Sequence, residues 1–304
     1  MRLQDIDTPR LRARMRDGGV TLRLSPFTVR VRSDIPHLAD DIATMYRDFE
    51  LVDEREFVDF HVAVLRSPHW LSRLQGRAEF WFDGQRSFTP LPAAQALAML
   101  EWGINWCIAA HAHQYLLIHS AVLERGGRAL VMPAPPGSGK STLCAALAHR
   151  GWRLLSDELG LLDLRTGLIH GMARPINLKN ASIPVIKSFA PEAVFSASMP
   201  NTAKGTVALV RAPQDAIDAR LTPALPAWVV LPSWRADAPA RLTPIERARA
   251  FMDLAEQSFN YDIHGQAGFQ ALGRMIDGCE CLHFEYSRLD EAVALFDAFT
   301  ETAS

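Results

Sequence analysis

A glycine-rich segment between a predicted strand and a predicted helix constrains the fold of this chain more than any other feature. The segment runs from Ala134 to Thr142, reads APPGSGKST, and matches the spacing G-x-x-x-x-G-K-[ST] except that Ala134 replaces the first glycine. The apolar run Ala129 to Met132 predicts a strand before it, and Lys140 to Arg150 predicts a helix after it. A glycine-rich turn with a chance lysine would not need these flanks, whereas a phosphate-binding loop does. We call residues 134–142 the glycine-rich loop.

The residue types in this loop suit the phosphates of a nucleotide. Gly137 and Gly139 permit backbone conformations closed to other residues, so consecutive N–H groups can point at phosphate oxygens. The helix N-terminus adds partial positive charge, Lys140 is expected to reach the β- and γ-phosphates, and the Ser141 hydroxyl is expected to ligate Mg²⁺. Ala134 is compatible with such a loop if it needs no positive φ. The predicted nucleotide-binding residues are Pro136, Gly137, Ser138, Gly139, Lys140, Ser141 and Thr142.

Composition excludes several classes of protein. The composition is 48% hydrophobic and 22% charged, which is typical of a globular protein, and the length of 304 residues suits two domains, with one large domain as the alternative. A formal net charge of −2 gives no indication of a nucleic-acid or membrane partner. Four cysteines do not make a disulfide framework, and no apolar signal segment follows the basic start. The long apolar helix predicted from Ala93 to Ala112 contains polar residues such as Glu101, so it is not a membrane span. We expect a cytoplasmic protein.

The chain is predicted to divide between residues 113 and 114. Residues 1–113 include an alternating hairpin over Val20 to Val31 and further strands and helices, which is typical of a small α+β domain that could bind a substrate or partner. Residues 114–304 contain the glycine-rich loop and are predicted to form the catalytic domain. One strand is predicted from Leu116 to Leu123.

Two adjacent carboxylates follow the helix of the loop. Asp157 and Glu158 stand at the end of a short strand predicted from Arg153 to Leu155, so both are expected near the terminal phosphate of a bound nucleotide. One could hold Mg²⁺ while the other accepts a hydroxyl proton, as phosphoryl transfer to an alcohol requires. A metal ligand in a hydrolase and a solvated turn are the alternatives that these residues leave open.

Three segments together resemble the catalytic domain of HPr kinase/phosphorylase, and more closely its subgroup called HprK-related kinase A. They are Ile118 to Ala121 (IHSA), the glycine-rich loop, and Arg150 to Glu158 (RGWRLLSDE), within a resemblance that spans Leu116 to Ala298. The resemblance implies an α/β fold like that of phosphoenolpyruvate carboxykinase, with the phosphate loop in a mixed, largely antiparallel sheet, next to the small N-terminal α+β domain. It also implies roles for three residues: Asp157 stands at the catalytic base, Glu158 at a second acidic position that is Asp in HPr kinase, and His119 at the histidine that supports the aspartate and the phosphate. We expect Glu158 to hold Mg²⁺ together with Ser141.

Three further cations are candidate contacts for phosphate or substrate. Arg174 and Lys179 stand on one short predicted strand, where a guanidinium and an ammonium suit an anionic ligand. Alternation places the two on opposite faces, and an edge strand with solvated charges is the alternative. Lys204 lies where the resemblance places a substrate or phosphate loop, and a plain loop lysine is its alternative.

The predicted function is an ATP- and Mg²⁺-dependent kinase that phosphorylates a hydroxyl, with ATP implied by the resemblance. A serine of a peptide or small protein is the first choice of acceptor, because the subgroup points to peptide-modification systems with a small peptide-chaperone partner. The chain has no obvious counterpart of the acidic residue followed by R-G-L-G that HPr kinase uses around its substrate, so phosphorylation of HPr itself and a phosphorylase activity are not expected. A small-molecule hydroxyl is the alternative acceptor. An ATP-binding switch or assembly protein without an acceptor is the alternative from another class. The resemblance allows a homo-oligomer without requiring one.

Overall fold

The computed structural model of the protein describes residues 1–53, 55–135 and 137–302. Within these residues the strands form four sheets, and helices pack on both faces of the sheet that carries the glycine-rich loop. The predicted mixed α/β class is therefore confirmed.

The amino-terminal part is built on a mixed sheet in the order β1-β2-β3-β4-β5, with β6 also paired to β4. The predicted hairpin is present as the antiparallel pair β1 and β2. The long apolar helix packs closely on this sheet, since a Cβ at Gly103 would lie 2.1 Å from the Phe80 ring. The elements of this part are α1 (Thr8–Asp17), β1 (Val20–Leu24), β2 (Phe27–Ser33), α2 (Pro36–Met45), β3 (Phe60–Arg66), α3 (Trp70–Leu74), β4 (Arg77–Phe82), β5 (Gln85–Arg86), β6 (Leu91–Pro92) and α4 (Ala96–His111), with 3₁₀ turns at Leu3–Asp5 and Ala93–Gln95.

The remainder of the chain is built on a central sheet in the order β10-β8-β9-β16-β18-β17. The pairs β9–β16 and β16–β18 are parallel, and the other pairs are antiparallel. Two smaller antiparallel sheets, β12-β11-β7 and β13-β15-β14, flank it. The elements of this part are β7 (Tyr115–Ile118), β8 (Ser120–Arg125), β9 (Arg128–Pro133), α5 (Lys140–Ala148), β10 (Arg153–Ser156), β11 (Gly160–Asp163), β12 (Ile169–His170), β13 (Ile176–Lys179), α6 (Ser182–Phe189), β14 (Met199–Thr202), β15 (Gly205–Val210), α7 (Gln214–Asp218), β16 (Leu225–Trp234), β17 (Arg241–Pro244), α8 (Arg247–Glu256), α9 (Tyr261–His264), α10 (Gln266–Asp277), β18 (Glu280–Tyr286) and α11 (Leu289–Thr302).

Alternation along the central strands divides the interior into two layers. Leu123 and Leu130 face the layer that contains α5 and α11, whereas Val122 and Val131 face the layer that contains α8 and α10. Successive side chains of a strand point to opposite faces, so a strand buried on both faces is apolar throughout. The central sheet is therefore covered on both faces. The residues that follow its strands lie at the edge of the sheet, outside these two layers.

The prediction of a single strand from Leu116 to Leu123 is wrong, because the structure has two strands there that are separated at His119. β7 pairs with β11 in a smaller sheet, and β8 pairs with β9 and β10 in the central sheet. The His119 N–H leaves both ladders and donates to the Gln257 carbonyl at 2.7 Å. His119 thus lies between two strands of different sheets. Its side chain does not belong to the alternating pattern of side-chain directions in either strand.

The predicted boundary at residues 113 and 114 falls directly after α4. One continuous hydrophobic cluster includes Val29 of β2, Ile104 of α4 and Leu143 of α5, so the core continues across that position. The division into two domains stays a prediction. In the described part of the chain, no helix combines the length and apolarity needed to cross a membrane.

Candidate functional site

The glycine-rich loop connects the end of β9 to the start of α5, in the predicted order of strand, loop and helix. Gly137 and Gly139 have φ of +91° and +90°, a region that favours glycine, and Gly139 is the N-cap of α5. Ala134 is buried and its φ is not positive, so this position does not require glycine. Pro136 lies outside the described residues.

Two aromatic residues hold the loop from one side. The Tyr286 hydroxyl donates to the Gly139 carbonyl at 3.0 Å, and the Trp234 N–H donates to the Ser138 carbonyl at 2.9 Å. A Cβ at Gly139 would lie 2.5 Å from the Tyr286 oxygen, whereas a Cβ at Gly137 would meet nothing within 4 Å. Gly139 is therefore required for both its φ and its space, and Gly137 for its φ alone.

Lys140 begins α5 and is 8% exposed. Its Nζ has no hydrogen-bond partner among the described residues. Burial lowers the pKa of Lys140, and the charges of Asp157 and Glu158 act in the opposite direction. Since a buried ammonium is costly without a partner, this nitrogen is placed to bind an anionic group.

Asp157 follows β10, on the opposite side of the loop from the two aromatic residues, and is 5% exposed. Its Oδ2 accepts the Asn177 N–H at 3.2 Å, and its Oδ1 has no partner within the described chain. Burial, followed by the charge of Glu158, raises the pKa of Asp157 to about 6, against the opposing effect of Lys140. The carboxylate can therefore exchange a proton near neutral pH.

Glu158 is paired with His119, whose Nε2 lies 3.3 Å from its Oε2. Burial alone would raise the pKa of Glu158, but the hydrogen bond from His119 and the charge of Lys140 lower it to about 2. Adjacent carboxylates thus have opposite pKa shifts, and Glu158 is ionised throughout the physiological range.

A cleft of about 550 Å³ brings most of the predicted site together. Residues 137–142 of the loop line it, together with His119, Glu158 and Lys179. Asp157 does not line this cleft and instead borders a smaller cavity of about 10 Å³ behind it. The predicted base is therefore shielded from bulk solvent, while its neighbour Glu158 faces the cleft.

The three further cations are placed differently from one another. Lys179 lines the cleft, while Arg174 is buried behind it, with Nη1 2.9 Å from Glu101 Oε2 on α4. Lys204 lies in the turn between β14 and β15, with Nζ 5.0 Å from the centre of the Trp102 ring, and it does not line the cleft. Burial and then the charge of Lys179 lower the pKa of Lys204. Of these three, Lys179 alone lines the cleft, while Lys204 lies near enough for the charges of Lys179 and Glu158 to act on it.

Several residues that line the cleft were not predicted as site residues, among them Asn177, Trp234 and Tyr286. Asn177 lines it with an Oδ1 that has no partner in the described part of the chain, and alternation along β13 with Lys179 is the signal that points to it. Trp234 and Tyr286 end β16 and β18, far from the loop in sequence. No local pattern identifies them, because parallel pairing of β16 with β9 is what brings these strand ends to the loop.

Comparisons with known proteins give distant similarities to solved structures only. No protein-family model matches the chain, and no curated protein matches it. Among solved structures, the chain is similar to the Hpr(Ser) kinase/phosphatase from Coxiella burnetii, with 12% sequence identity and a TM-score of 0.28. The similarity covers 61% of this chain and 98% of that one. At this TM-score, neither a common activity nor a common ligand follows from the similarity.

Proposed function

We propose that the protein is a phosphotransferase that moves the γ-phosphate of ATP to a hydroxyl group with the help of Mg²⁺. The observation that carries the proposal is a set of buried polar atoms around the glycine-rich loop that have no partner in the described residues. Buried polar atoms are nearly always paired in folded proteins, so such a group marks a site for a polar ligand. The atoms are Lys140 Nζ, Ser138 Oγ, Asp157 Oδ1 and Asn177 Oδ1.

The residues of the loop fit a chain of phosphates. Lys140 and the Ser138 hydroxyl supply donors, and the N-terminus of α5 supplies N–H groups and a partial positive charge. The positive φ at Gly137 and Gly139 is the backbone form in which successive N–H groups converge on an anion. Lys179 adds a second ammonium to the same cleft.

A magnesium ion also fits, provided that the nucleotide shares its coordination. The described residues hold no group of three or more His, Cys, Asp or Glu side chains that could bind a metal alone. Mg²⁺ commonly takes one or two protein oxygens together with phosphates and water. Ser141 and the ionised Glu158 would supply those oxygens, and the bound ion would neutralise charge on the phosphates.

The opposite pKa shifts of the two carboxylates support separate roles for them. A pKa near the working pH suits a proton acceptor, and a strongly lowered pKa suits a permanent charge. Glu158 and Asn177 line both the cleft and the small cavity that Asp157 borders, so the two spaces adjoin. Asp157, with a pKa of about 6, would take the proton of an acceptor hydroxyl that reaches this junction. The hydroxyl oxygen then forms a bond to the γ-phosphorus, the bond from that phosphorus to the β,γ-bridging oxygen breaks, and ADP leaves. His119 would position Glu158 through their 3.3 Å contact.

The acceptor that we propose is a serine of a peptide or small protein. The resemblance of His119 to Glu158 to HprK-related kinase A supports this choice, since that subgroup points to peptide modification with a small peptide-chaperone partner. A small-molecule hydroxyl is the alternative acceptor, and an ATP-binding switch that does not transfer phosphate is the alternative function.

The experiment is transfer of ³²P from γ-labelled ATP, with Mg²⁺, into a size-fractionated lysate of the source cell to which the purified protein is added. Lys140→Ala is the blank. Lys187→Ala is the matched control, because Lys187 is an exposed lysine of α6 that does not line the cleft. We expect a labelled polypeptide that disappears with Lys140→Ala and persists with Lys187→Ala. Label in a low-mass product would assign a small-molecule acceptor, and free phosphate alone would contradict a transferase.

A further inference from the structure

The order of strands places two different walls on the two sides of the glycine-rich loop. β9 leads into the loop, with β8 and β10 on one side of it and β16 and β18 on the other. Asp157 and Glu158 follow β10, whereas Trp234 and Tyr286 end β16 and β18. A nucleotide whose terminal phosphate lies toward the carboxylates would therefore extend its nucleoside toward the aromatic wall.

Trp234 is fixed in position yet open to the cleft. Its backbone N–H donates to the Ser138 carbonyl at 2.9 Å, and its indole Nε1 donates to the Ser287 carbonyl at 3.1 Å. The residue is nevertheless 53% exposed and lines the cleft. Because the one polar atom of the indole is already bonded, the surface that remains is an immobilised aromatic face.

The cleft is lined by apolar side chains as well as by the polar groups around Lys140. Leu289, two residues after the Ser287 that accepts the indole N–H, lines it together with Trp234, and Val185 of α6 lines it as well. The Ser287 hydroxyl, which also lies there, donates to the Ala238 carbonyl at 2.7 Å and is thereby occupied. A charged phosphate chain is not stabilised by such a surface, whereas a flat heteroaromatic ring is stabilised there by stacking and by burial. The cleft volume of about 550 Å³ leaves room for both parts of a nucleotide.

We propose that Trp234 is the stacking platform for the nucleobase of the bound nucleotide. The inference rests on the proposed function, since it takes the phosphates to lie at Lys140. The base is held by its face on the indole, and the apolar side chains that line the same cleft, Leu289 and Val185, add to its burial. Trp234 is then a binding residue that contacts the nucleobase, while the glycine-rich loop binds the phosphates.

The test compares the affinities of ATP and inorganic triphosphate for the purified full-length protein, by calorimetry with Mg²⁺ present. Trp234→Ala is expected to weaken ATP about 10- to 100-fold, the range for loss of one base-stacking aromatic, and to leave triphosphate within about twofold. Trp234→Phe keeps an aromatic face and is expected to retain most of the ATP affinity. Trp70→Ala is the matched control, because Trp70 is 68% exposed on α3 and does not line the cleft.

The outcomes separate this inference from the proposed function. Stacking is overturned if Trp234→Ala leaves ATP affinity unchanged, or if it weakens ATP and triphosphate equally, which would indicate a support role for the loop alone. Wild-type protein that binds neither ligand would overturn the proposed function and the stacking with it. Circular dichroism melting of each variant shows whether the protein that was titrated is folded.

Discussion

The two sides of the glycine-rich loop differ in how completely their polar groups are satisfied. On the carboxylate side, Asp157 Oδ1 and Asn177 Oδ1 are buried and have no partner in the described residues. On the aromatic side, the Tyr286 hydroxyl and the Trp234 Nε1 both donate to backbone carbonyls. The Tyr286 ring is also stacked on Phe284, with centroids 5.0 Å apart.

This difference indicates that the two sides of the loop have different roles. Groups without partners are costly in the folded state and are retained where a ligand or a reaction uses them. Groups whose polar atoms are all bonded instead fix the backbone on which those reactive groups depend. The carboxylate side would therefore carry the chemistry, and the aromatic side would hold the loop and the nucleoside.

The largest effect is expected on the carboxylate side, from Asp157→Asn. Loss of the proton acceptor is expected to lower the transfer rate about 10²- to 10⁴-fold while ATP binding is retained. Because the pKa of Asp157 is about 6, the wild-type rate is expected to fall as the pH drops below that value. The measurement is the pH profile of phosphate transfer.

Glu158→Gln is the matched control for that profile. It removes the neighbouring negative charge that raises the pKa of Asp157, so the inflection of the pH–rate profile is expected to move to lower pH. It also removes a proposed ligand of Mg²⁺, so the reaction is expected to need a higher Mg²⁺ concentration. An unchanged profile in Asp157→Asn would show that Asp157 is not the base.

The next largest effect is expected on the aromatic side, from Gly139→Ala. The new Cβ would lie 2.5 Å from the Tyr286 oxygen at a φ of +90°, so both overlap and backbone strain lower the free energy of unfolding, by about 2 to 5 kcal/mol. Gly137→Ala is expected to cost about 1 to 2 kcal/mol, because strain at φ of +91° acts there without a clash. Urea unfolding of the two variants measures the difference.

A second substitution sharpens the comparison of the two glycines. Tyr286→Phe removes the oxygen that a Cβ at Gly139 would meet, so it is expected to recover part of the loss in Gly139→Ala and none of that in Gly137→Ala. Equal costs for the two alanine variants would show that the aromatic side does not support the loop closely.

The smallest effect concerns the stability of the carboxylate side. The pKa of Asp157 is raised in the folded protein, so its contribution to stability is present below its ordinary value of 3.8 and is lost as the pH rises through about 6. Asp157→Asn is therefore expected to increase the free energy of unfolding at pH 8 by roughly 1 to 3 kcal/mol, and by much less at pH 4. Urea unfolding at both pH values checks this, and a variant less stable than wild type at pH 8 would contradict it.

Much of the fold followed from local patterns in the sequence. The hairpin of β1 and β2 and the strand–loop–helix unit were both predicted, because period-2 alternation and glycine-rich turns act over a few residues. The break of the strand at His119 was not predicted, because the segment is apolar on both sides of it. Its cause is the competition of two sheets and of the Gln257 carbonyl for the same backbone.

The candidate site was predictable where its residues are neighbours in sequence. The spacing from Gly137 to Ser141 and the pair Asp157 and Glu158 identified one side of the cleft. Arg174 and Lys179 stand near each other in sequence as well, and alternation along the chain predicted that they face different ways. The structure shows Lys179 in the cleft and Arg174 bonded to Glu101 behind it.

By itself, the sequence determined that this chain has a glycine-rich loop between a strand and a helix, with two carboxylates one short strand later. Backbone conformation at glycine and the polarity of a helix are local properties, so they can be read from consecutive residues. Tertiary structure alone decided which wall faces the carboxylates across the loop, and which of the two carboxylates is shielded. Strand pairing joins residues such as Ser138 and Trp234 that are distant in the chain, and burial sets the pKa of Asp157, so neither has a signature in the local sequence.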